Sequence, residues 1–558
     1  MINSRIEMAN LLLPDVDWDF MKLEKSYPKR QILPNSMVTR FAPSPTGFLH
    51  IGGVYTALIS KKAANQTNGV FILRIEDTDK KREVNGGTSQ LITQLNDLNI
   101  TFDEGMIDDF QSIGNYGPYL QSQRREIYHT FVKYLLIKGL AYPCFCSSSD
   151  LELLRKQQEN AKQKTGYYGH FAIHRDITLD EVKNYLAQGK EFVIRFKNYE
   201  QEQTTYYDLI KREITLTEHT DDIVLIKTDG LPTYHLAHIA DDFLMRVTHV
   251  LRADEWMASL PLHLKLFKAF DLTPPQYGHI SPILKLDGTS KRKLSKRKDP
   301  EASVEFYHSE GYPPNAVLEY LLNIANSDFE NWRMAQPNEP HTSFVLNINK
   351  MNASGALFDI NKLKNISKEY IAKMGNVELY EELLKWAEKY NVNFYNNILK
   401  NKELTLEILS IGRNDTEKKR KDYSNYSDVI NLISYFYDSY FENDIEIYQF
   451  SSLYENKFIA TILKEYNNVI SLYDTNEEWF EEIKNLSQKF NFAINMSDYK
   501  KNKEQYMGSV SDLASFIRIA ITKRTNTFDL FQIIRILGID KIKNRLNLAI
   551  TYLDKTEN

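Results

Sequence analysis

The sequence contains only two cysteines among 558 residues, and they lie close together as Cys144 and Cys146. Two cysteines cannot build the disulfide framework of a small secreted domain. So low a count is typical of a protein that folds in a reducing compartment. We therefore expect a cytoplasmic protein whose stability comes from packed cores and not from covalent cross-links.

Long hydrophobic runs are also missing. No apolar stretch approaches the roughly 18 residues that a membrane-spanning helix needs. The first twenty residues have one short apolar run and carry charges on both sides of it: Arg5, Glu7, Asp15, Asp17 and Asp19. Signal and transit peptides have a different composition. The sequence thus predicts no targeting segment and no membrane partner.

An excess of charge of either sign is absent too, because 69 basic residues face 74 acidic residues, giving a net charge of −5. This balance argues against a protein that coats nucleic acid by charge alone, so any such contact must be local. Two basic clusters are candidates, residues 291–298 and residues 418–421. A run of like charge is usually a solvated face. For the second cluster, both a solvated face and an RNA contact stay open.

A chain of this length exceeds what one hydrophobic core supports, which predicts three or more domains. The front part alternates short β-branched runs with helical patterns. After about residue 340 glycine becomes rare and apolar residues recur at helical spacing, as in 513–521 and 530–537, the latter closed by Gly538. The prediction is an α/β front half followed by an all-helical back half.

A strand, a tight loop and a helix follow one another near the start of the α/β part. The apolar run 37–41 meets Pro43 and Pro45, which end a strand because proline cannot donate to its ladder. A helical pattern then occupies 51–65. This succession is the opening of a doubly wound α/β domain.

The start of that helix is a candidate phosphate site. Its free N–H groups attract anions, and Gly52 and Gly53 allow a nucleotide to approach the backbone closely. His50, at the mouth of the helix, can donate a hydrogen bond to a phosphate oxygen. Considered alone, His50 would more often be a surface histidine beside a proline-capped turn.

A second basic motif lies far downstream, at residues 293–297. Its lysines, Lys293 and Lys296, are point charges on flexible stems and can follow a triphosphate while charge develops on it. Preorganised cations stabilise a departing pyrophosphate more than the ground state. A basic loop is usually just solvent-facing, but its pairing with the first motif favours the functional interpretation.

The two motifs together resemble the signatures of class I aminoacyl-tRNA synthetases. Residues 50–53 are similar to the His-Ile-Gly-His signature, and 293–297 to the Lys-Met-Ser-Lys loop, with Leu294 in place of methionine. The flanking stretch 40–47 resembles the glutamyl and glutaminyl branch. Gly53 replaces the second histidine of the general signature, as is common in the glutamyl branch.

The resemblance implies an α/β Rossmann-like catalytic domain with an inserted acceptor-binding domain, followed by an all-α C-terminal anticodon-binding domain. The expected bounds are 1–36 for an N-terminal extension, 37–116 and 228–286 for the catalytic domain, 117–227 for the acceptor-end-binding insertion, 287–372 for a stem-contact domain with the mobile Lys-Leu-Ser-Lys loop, and 373–558 for the helical anticodon-binding domain.

Matching positions of the family's motifs imply four groups of site residues. The catalytic group is His50, Lys293 and Lys296; the ATP contacts are Thr46, His50, Gly52, Gly53, Glu255, Trp256, Ser295 and Lys296; the glutamate contacts are Arg40, Ala42, Ser44, Glu76, Tyr234, His238 and Arg252; the tRNA contacts are Lys418, Lys419, Arg420, Lys421, Lys523 and Arg524. Two arginines suit a dicarboxylic amino acid and disfavour glutamine. His238 departs from the family's usual asparagine, and we expect it to substitute as a hydrogen-bond donor.

The paired cysteines raise the question of zinc, because some relatives bind a structural zinc through Cys-x-Cys and two later ligands. The downstream candidates are Tyr168, His170 and His174, and their spacing does not match cleanly. We therefore predict no metal site and interpret Cys144 and Cys146 as buried reduced cysteines.

For the reaction, the resemblance implies ATP with Mg²⁺, L-glutamate and tRNA(Glu), with a glutamyl-adenylate intermediate. It also implies that bound tRNA is needed for the first step. We expect a monomer. Two alternatives remain: a non-discriminating form that also charges tRNA(Gln), and a non-catalytic RNA-binding relative.

Overall fold

The structure, a computed structural model, describes residues 2–45, 47, 49–80, 84–198, 203–217, 220–413, 419–443 and 448–556. The chain divides into two compact units, Met1–Tyr307 with Pro314–Leu363, and His308–Pro313 with Lys364–Asn558. Within the described ranges, no helix has both the length and the apolarity to cross a membrane. The finer domain bounds given above stay predictions.

The chain up to residue 373 forms these helices and strands, in order: α1 (Ile2–Leu12), β1 (Val38–Phe41), α2 (Ile51–Asn65), β2 (Val70–Leu73), α3 (Gly87–Asp97), β3 (Glu104–Met106), β4 (Ser112–Ile113), α4 (Arg125–Lys138), β5 (Ala141–Cys144), α5 (Ser148–Asn160), α6 (Leu179–Ala187), β6 (Val193–Phe196), β7 (Gln203–Asp208), β8 (Arg212–Thr217), β9 (Val224–Ile226), α7 (Tyr234–Leu244), β10 (His249–Ala253), α8 (Leu260–Ala269), β11 (Gln276–Ile280), β12 (Ile283–Asp287), β13 (Ser290–Lys293), α9 (Val304–Glu310), α10 (Pro314–Ala325), α11 (Asp328–Ala335), β14 (Ala356–Leu357) and α12 (Ile360–Lys373).

A parallel sheet organises the first unit. β1 pairs in parallel with β2, and β2 with β3, while β4 closes the edge antiparallel to β3. On the other side, the Thr248 N–H donates to the Val38 carbonyl oxygen at 3.0 Å, which places β10 beside β1, and β11 follows in parallel. The strand order reverses between β1 and β10, as in a doubly wound fold.

The local sequence explains the first strand and helix. All four residues of β1 are buried, as expected for a central parallel strand covered on both faces. Helix α2 occupies the predicted span 51–65 and buries Val54, Ala57 and Leu58 on one side. Strand β2, Val70–Leu73, follows this helix, and three of its four residues are buried.

A separate antiparallel part is inserted between β4 and α7. Strands β5, β6 and β9 form one three-stranded sheet in that order, and β7 and β8 form a hairpin. Tyr142, Cys144, Tyr167 and Ala172 form a small core of their own in this part. The chain therefore has an antiparallel part with its own small core between β4 and α7; that this part is the acceptor-end-binding insertion 117–227 stays a prediction.

The second unit is mainly helical. It contains α13 (Asn376–Tyr390), α14 (Val392–Lys400), α15 (Lys402–Ser410), α16 (Tyr426–Ile433), α17 (Asp438–Asn443), α18 (Asn456–Val469), α19 (Asn476–Lys489), β15 (Phe492–Ala493), α20 (Met496–Lys501), β16 (Gly508–Ser509), α21 (Val510–Thr522), α22 (Leu530–Leu537) and α23 (Ile539–Lys555). The two-residue strands β15 and β16 pair in parallel and are a small exception to the all-helical prediction. Gly538 ends α22 with φ = 75°, so its predicted capping role is confirmed.

Arg545 joins three elements of the second unit, and we predict that it is a major source of stability there. It is 2% exposed and donates to the carbonyl oxygens of Tyr435 and Ile521 at 2.7 and 2.8 Å. Arg545→Met leaves these buried acceptors unsatisfied, so we expect a loss of about 3 kcal/mol in urea unfolding. Lys541 pairs with the half-exposed Asp438, and Lys541→Met, the control, is expected to cost at most about 1 kcal/mol. Equal losses would contradict this account.

Candidate active site

An open cavity of about 390 Å³ lies at the carboxyl ends of β1 and β10. In a doubly wound sheet, ligands bind where the strand order reverses, which is between these two strands. The lining includes Arg40, Ala42, Ser44, His50, Gly52, Gly53, Glu76, Tyr234, Arg252, Glu255, Trp256 and Lys293. Residues predicted for glutamate, for ATP and for catalysis are thus gathered around one cavity.

His50 caps the start of α2, and its hydrogen bonds define its tautomer. The Gly52 N–H donates to Nδ1 at 2.9 Å, so Nε2 carries the proton and faces the Leu294 carbonyl oxygen at 3.3 Å. Burial and the ammonium groups of Lys296 and Lys293 lower the pKa of His50. A Cβ atom at Gly52 would lie only 3.1 Å from Nδ1, so glycine protects this contact. The neutral ring therefore offers an N–H donor at a helix start that attracts phosphate.

A buried ion-pair network, called the floor network below, lies beneath Arg40 and Glu76 of the cavity lining. Asp242, on α7, lies 3.3 Å from Arg40 Nε and 2.5 Å from Arg74 Nη1. Arg74 also approaches Glu76 at 3.3 Å and Asp241 at 3.5 Å. Burial alone would raise the pKa of Asp242, but Arg74 and Arg40 hold it well below its ordinary value. Because buried charges are costly unless paired, the network fixes Arg40 in place as a cation.

Glu76 is the acid that lines the cavity next to this network. Burial raises the pKa of Glu76, although Arg74 and Arg40 oppose the shift. A substrate ammonium group beside it would favour its ionised form. The cavity therefore offers an anion for an amine and arginines for carboxylates.

Arg252, on β10, is the second buried arginine of the lining and is 4% exposed. Its Nη1 donates to the Tyr234 hydroxyl at 3.0 Å, and its Nη2 donates to the Trp256 carbonyl oxygen at 3.2 Å. The rings of Tyr234 and Trp256 pack together with centroids 4.2 Å apart. These contacts hold the guanidinium in the wall, where its positive charge and its remaining N–H can meet a carboxylate.

His238 does not line the cavity, which corrects the expectation that it contacts glutamate directly. It has no exposed surface, and its ring stacks behind Tyr234 with centroids 5.7 Å apart. Its Nε2 lies 2.9 Å from the Tyr277 hydroxyl, and its Nδ1 lies 2.9 Å from Asp242 Oδ2. Burial lowers the pKa of His238 to about 3. The ring is therefore neutral and supports the wall behind Tyr234.

The hairpin of β12 and β13 carries the second basic motif to the cavity mouth. Lys293 Nζ lies 2.6 Å from Glu255 Oε2 there. Ser295 and Lys296 follow β13 and lie outside the lining, although Lys296 is close enough to His50 to affect its pKa. Thr46, predicted as an ATP contact, lies outside the described residues.

Asp299 organises this basic loop and was not predicted. It accepts from the Arg292 guanidinium at 2.6 and 2.8 Å and from the Ser295 N–H at 2.9 Å. The hydrogen bonds from Arg292 lower the pKa of Asp299 strongly. The sequence feature that could have indicated this role is its position, since Asp299 is the acid that directly follows the basic run 291–298.

A cysteine and histidine cluster lies in the inserted part. The ligand atoms of Cys144, Cys146 and His174 all lie within 4.8 Å of one another, and the Tyr167 hydroxyl lies 3.3 to 3.5 Å from these atoms. Such a set can hold a tetrahedral ion. Among the described residues it is the one such cluster, and it is separate from the cavity. The prediction of two reduced cysteines without zinc stays a prediction.

The other zinc candidates, Tyr168 and His170, do not join the cluster. The Tyr168 hydroxyl donates to the Lys164 carbonyl oxygen, and the His170 ring packs on Phe171. Tyr167, and not the predicted Tyr168, faces the cluster, because successive side chains of an extended segment point in opposite directions.

The predicted tRNA residues of the second unit have varied surroundings. Lys418 lies outside the described residues. Lys419 Nζ lies 3.3 Å from the Lys373 carbonyl oxygen, and Lys421 pairs with Glu369. Lys523 Nζ donates to the Phe441 carbonyl oxygen at 3.0 Å and lies over its ring, and Arg524 is half-buried next to it. Among the predicted tRNA residues that the structure describes, Arg420 is the one that borders a surface pocket.

Arg420 borders a polar surface pocket of about 510 Å³ that also involves Arg518 and the loop 525–529. Its guanidinium lies over the Phe528 ring at 5.4 Å and pairs with Asp422 at 2.7 Å. Arg518 was not predicted, because its position within α21 reads as part of an amphipathic helix. Phe528 is itself buried, so the two arginines are what this pocket offers to an RNA phosphate.

Two family descriptions match the chain. Residues 36–365 match tRNA synthetases class I (E and Q), catalytic domain. Residues 378–550 match the anticodon binding domain. Together the two matches cover most of the chain, with residues 366–377 between them.

Curated relatives and a solved structure match over nearly the whole chain. The glutamate–tRNA ligase of Acetivibrio thermocellus is 44% identical over 543 residues, covering 97% of this chain and 98% of that protein. That of Clostridium perfringens (strain 13) is 42% identical over 545 residues, covering 97% and 99%. The crystal structure of a glutamate tRNA ligase from Elizabethkingia meningosepticum in complex with its amino acid matches with TM-score 0.72 and 27% identity, covering 93% and 99%.

We predict that the floor network is required for stability of the first unit. Asp242→Asn removes the shared partner of Arg40 and Arg74, so we expect a loss of roughly 3–5 kcal/mol. Glu152→Gln, which breaks an exposed pair with Lys156, should cost at most about 1 kcal/mol. Denaturant unfolding measures both changes.

The pH dependence gives a second check on the same residue. Because the pKa of Asp242 is lowered on folding, its stabilisation is fully present above its ordinary pKa of about 4. It is lost as the pH falls towards the lowered value. A variant as stable as the parent at pH 7 would contradict the assigned role.

Proposed function

The chain belongs to the class I tRNA synthetases of the E and Q group, and we propose that its cavity joins L-glutamate to the 3′ end of tRNA(Glu) with ATP. The observation that carries this proposal is the meeting of Arg40, Arg252 and Glu76 with the start of α2 in one cavity. The first three match the charges of glutamate, and the helix start matches the phosphates of ATP.

We assign the amino-acid half of the cavity by charge. Arg40 and Arg252 are proposed to hold the two carboxylates, and Glu76 the α-ammonium group. Glutamine has a neutral amide, so one arginine would stay poorly compensated, and this is the physical basis for its rejection. Ala42 and Ser44, in the loop after β1, complete this side, while His238 acts by supporting Tyr234.

We assign the nucleotide half to the start of α2 and the basic hairpin. Gly52 and Gly53 let the phosphates approach the helix start, and the His50 Nε2–H is the proposed donor to them. Trp256 and Glu255 flank the nucleotide. Mg²⁺ enters as the counterion of ATP and supplies further neutralisation of the phosphates.

The reaction then needs no nucleophile from the protein. The α-carboxylate of glutamate attacks the α-phosphorus of ATP, and pyrophosphate leaves. Lys293 and Lys296 are proposed to neutralise the leaving group, for which the Lys293–Glu255 pair must open. A ribose hydroxyl of the terminal tRNA adenosine then attacks the adenylate carbonyl and releases AMP. Catalysis is thus positioning and charge stabilisation.

The two family matches support a proposal for the tRNA contacts. We propose that the insertion within 117–227 holds the acceptor end and that the second unit binds the anticodon. Arg420 and Arg518 are the preferred contacts there, with Lys419, Lys421, Lys523 and Arg524 around them. We propose that the protein acts as a monomer. We propose a cytoplasmic location, which a tRNA substrate supports.

Aminoacylation with radiolabelled glutamate on transcripts of tRNA(Glu) and tRNA(Gln) tests this proposal, with glutamine as the control amino acid. We expect tRNA(Glu) to accept glutamate and neither transcript to accept glutamine. Glutamate on tRNA(Gln) as well would identify the non-discriminating form. Charging with neither amino acid would overturn the proposal and support a non-catalytic RNA-binding protein.

Two substitutions of His50 separate its structural and chemical parts. His50→Asn keeps a good helix cap but removes the Nε2–H donor. We expect it to fold normally and to lose roughly 100-fold in adenylate formation, the effect of removing one donor to a developing charge. His50→Ala should lose the same activity and also about 1 kcal/mol of stability. Pyrophosphate exchange and thermal unfolding measure the two effects. Full activity of His50→Asn would exclude the assigned role.

A further inference from the structure

Arg252 differs from the other buried arginines of the cavity in what holds it. Its four described hydrogen bonds all go to neutral acceptors. Besides Tyr234 and Trp256, Nε donates to His279 Nε2 at 3.0 Å, and Nη1 lies 3.2 Å from His263 Nδ1. Arg40, by contrast, is paired directly with the carboxylate of Asp242. The positive charge of Arg252 is therefore oriented without being neutralised.

His279 can accept from Arg252 only in one tautomer, and a third residue selects it. Nδ1 lies 2.6 Å from Asp208 Oδ2, and both side chains have no exposed surface. The carboxylate accepts, so Nδ1 carries the proton and Nε2 presents its lone pair to the Arg252 N–H. Burial lowers the pKa of His279, which keeps the ring neutral.

Asp208 is itself held rigidly at the end of the hairpin of β7 and β8. It accepts from the N–H groups of Ile210 and Lys211 at 2.9 and 2.8 Å and from the His279 N–H at 3.2 Å. The hairpin belongs to the inserted part, yet its tip lies against β11, where the Leu209 N–H donates to the Tyr277 carbonyl oxygen at 2.9 Å. The insertion thus delivers a carboxylate that reaches Arg252 only through an imidazole.

We propose that Asp208 and His279 are positioning residues for Arg252, which they hold as an uncompensated cation ready to bind a carboxylate of glutamate. A carboxylate in direct contact would orient the guanidinium equally well but would compete with the substrate for its charge. A neutral histidine between them gives orientation without competition. The inference rests on the function proposed above and assigns residues of that same site.

Asp208→Asn tests the relay because it keeps the shape and changes the tautomer. An asparagine amide can donate to Nδ1, which moves the imidazole proton to Nε2. Nε2 then carries a hydrogen that faces the Arg252 N–H and can no longer accept from it. We expect the KM for glutamate to rise roughly tenfold or more, the effect of losing one hydrogen bond to a charged group. The KM for ATP should change less than twofold. Both are measured by pyrophosphate exchange with tRNA(Glu) present.

Tyr206→Phe is the matched control in the same hairpin. The Tyr206 hydroxyl accepts from the Tyr277 N–H at 3.0 Å and so contributes to docking of the hairpin, and none of its described hydrogen bonds reaches His279. We expect its glutamate KM to stay within twofold of the parent. A rise equal to that of Asp208→Asn would mean that docking and not the tautomer matters, and would overturn the inference.

If Asp208→Asn fails to fold, two substitutions of His279 test whether this residue positions Arg252. His279→Gln keeps an acceptor and has no tautomer, so its glutamate KM should lie closer to the parent value than that of His279→Leu. Equal values for the two variants would overturn the inference, as would glutamate and ATP KM values that rise together. If the parent charges no tRNA with glutamate, the proposed function fails first, and that result is distinct from an active parent whose variants bind glutamate normally.

Discussion

The pairing of Arg40 and Arg74 with Asp242 is the interaction on which the rest of the site depends. Three charged groups that are almost fully removed from water are tolerable only together, because each would be costly alone. α7 supplies the acid, and β1 and the end of β2 supply the arginines. The network therefore holds these three elements in register at the edge of the sheet where the cavity opens, and it decides where Arg40 and Glu76 present their charges.

The cavity uses two kinds of arginine. Arg40 is paired with a carboxylate, whereas Arg252 is oriented by two histidines, a tyrosine and a main-chain carbonyl and keeps its charge for a ligand. A pocket with only paired arginines would bind a second carboxylate weakly, and one with only unpaired arginines would be costly to fold. The combination offers a stable site that still gains from a dicarboxylic substrate.

The sequence was most informative where function is concentrated in contiguous residues. The strand, loop and helix around residues 40–53 predicted the fold of the first unit and the positions of Arg40, His50, Gly52 and Gly53, because one local structure dictates all of them. Asp242, Asp208 and His279 could not be found this way, since their roles exist only through contacts between distant parts of the chain. His238 was placed on the wrong side of the wall for the same reason: the motif gave its position along α7 but not the direction that its side chain faces.

Calorimetric titration with L-glutamate and with L-glutamine, in the presence of tRNA(Glu), tests the central claim that the charges of this cavity select a dicarboxylic amino acid. The account predicts that glutamate binds at least about 100-fold more tightly, because glutamine leaves a buried guanidinium without its partner. Equal affinities for the two amino acids, or tighter binding of glutamine, would contradict it.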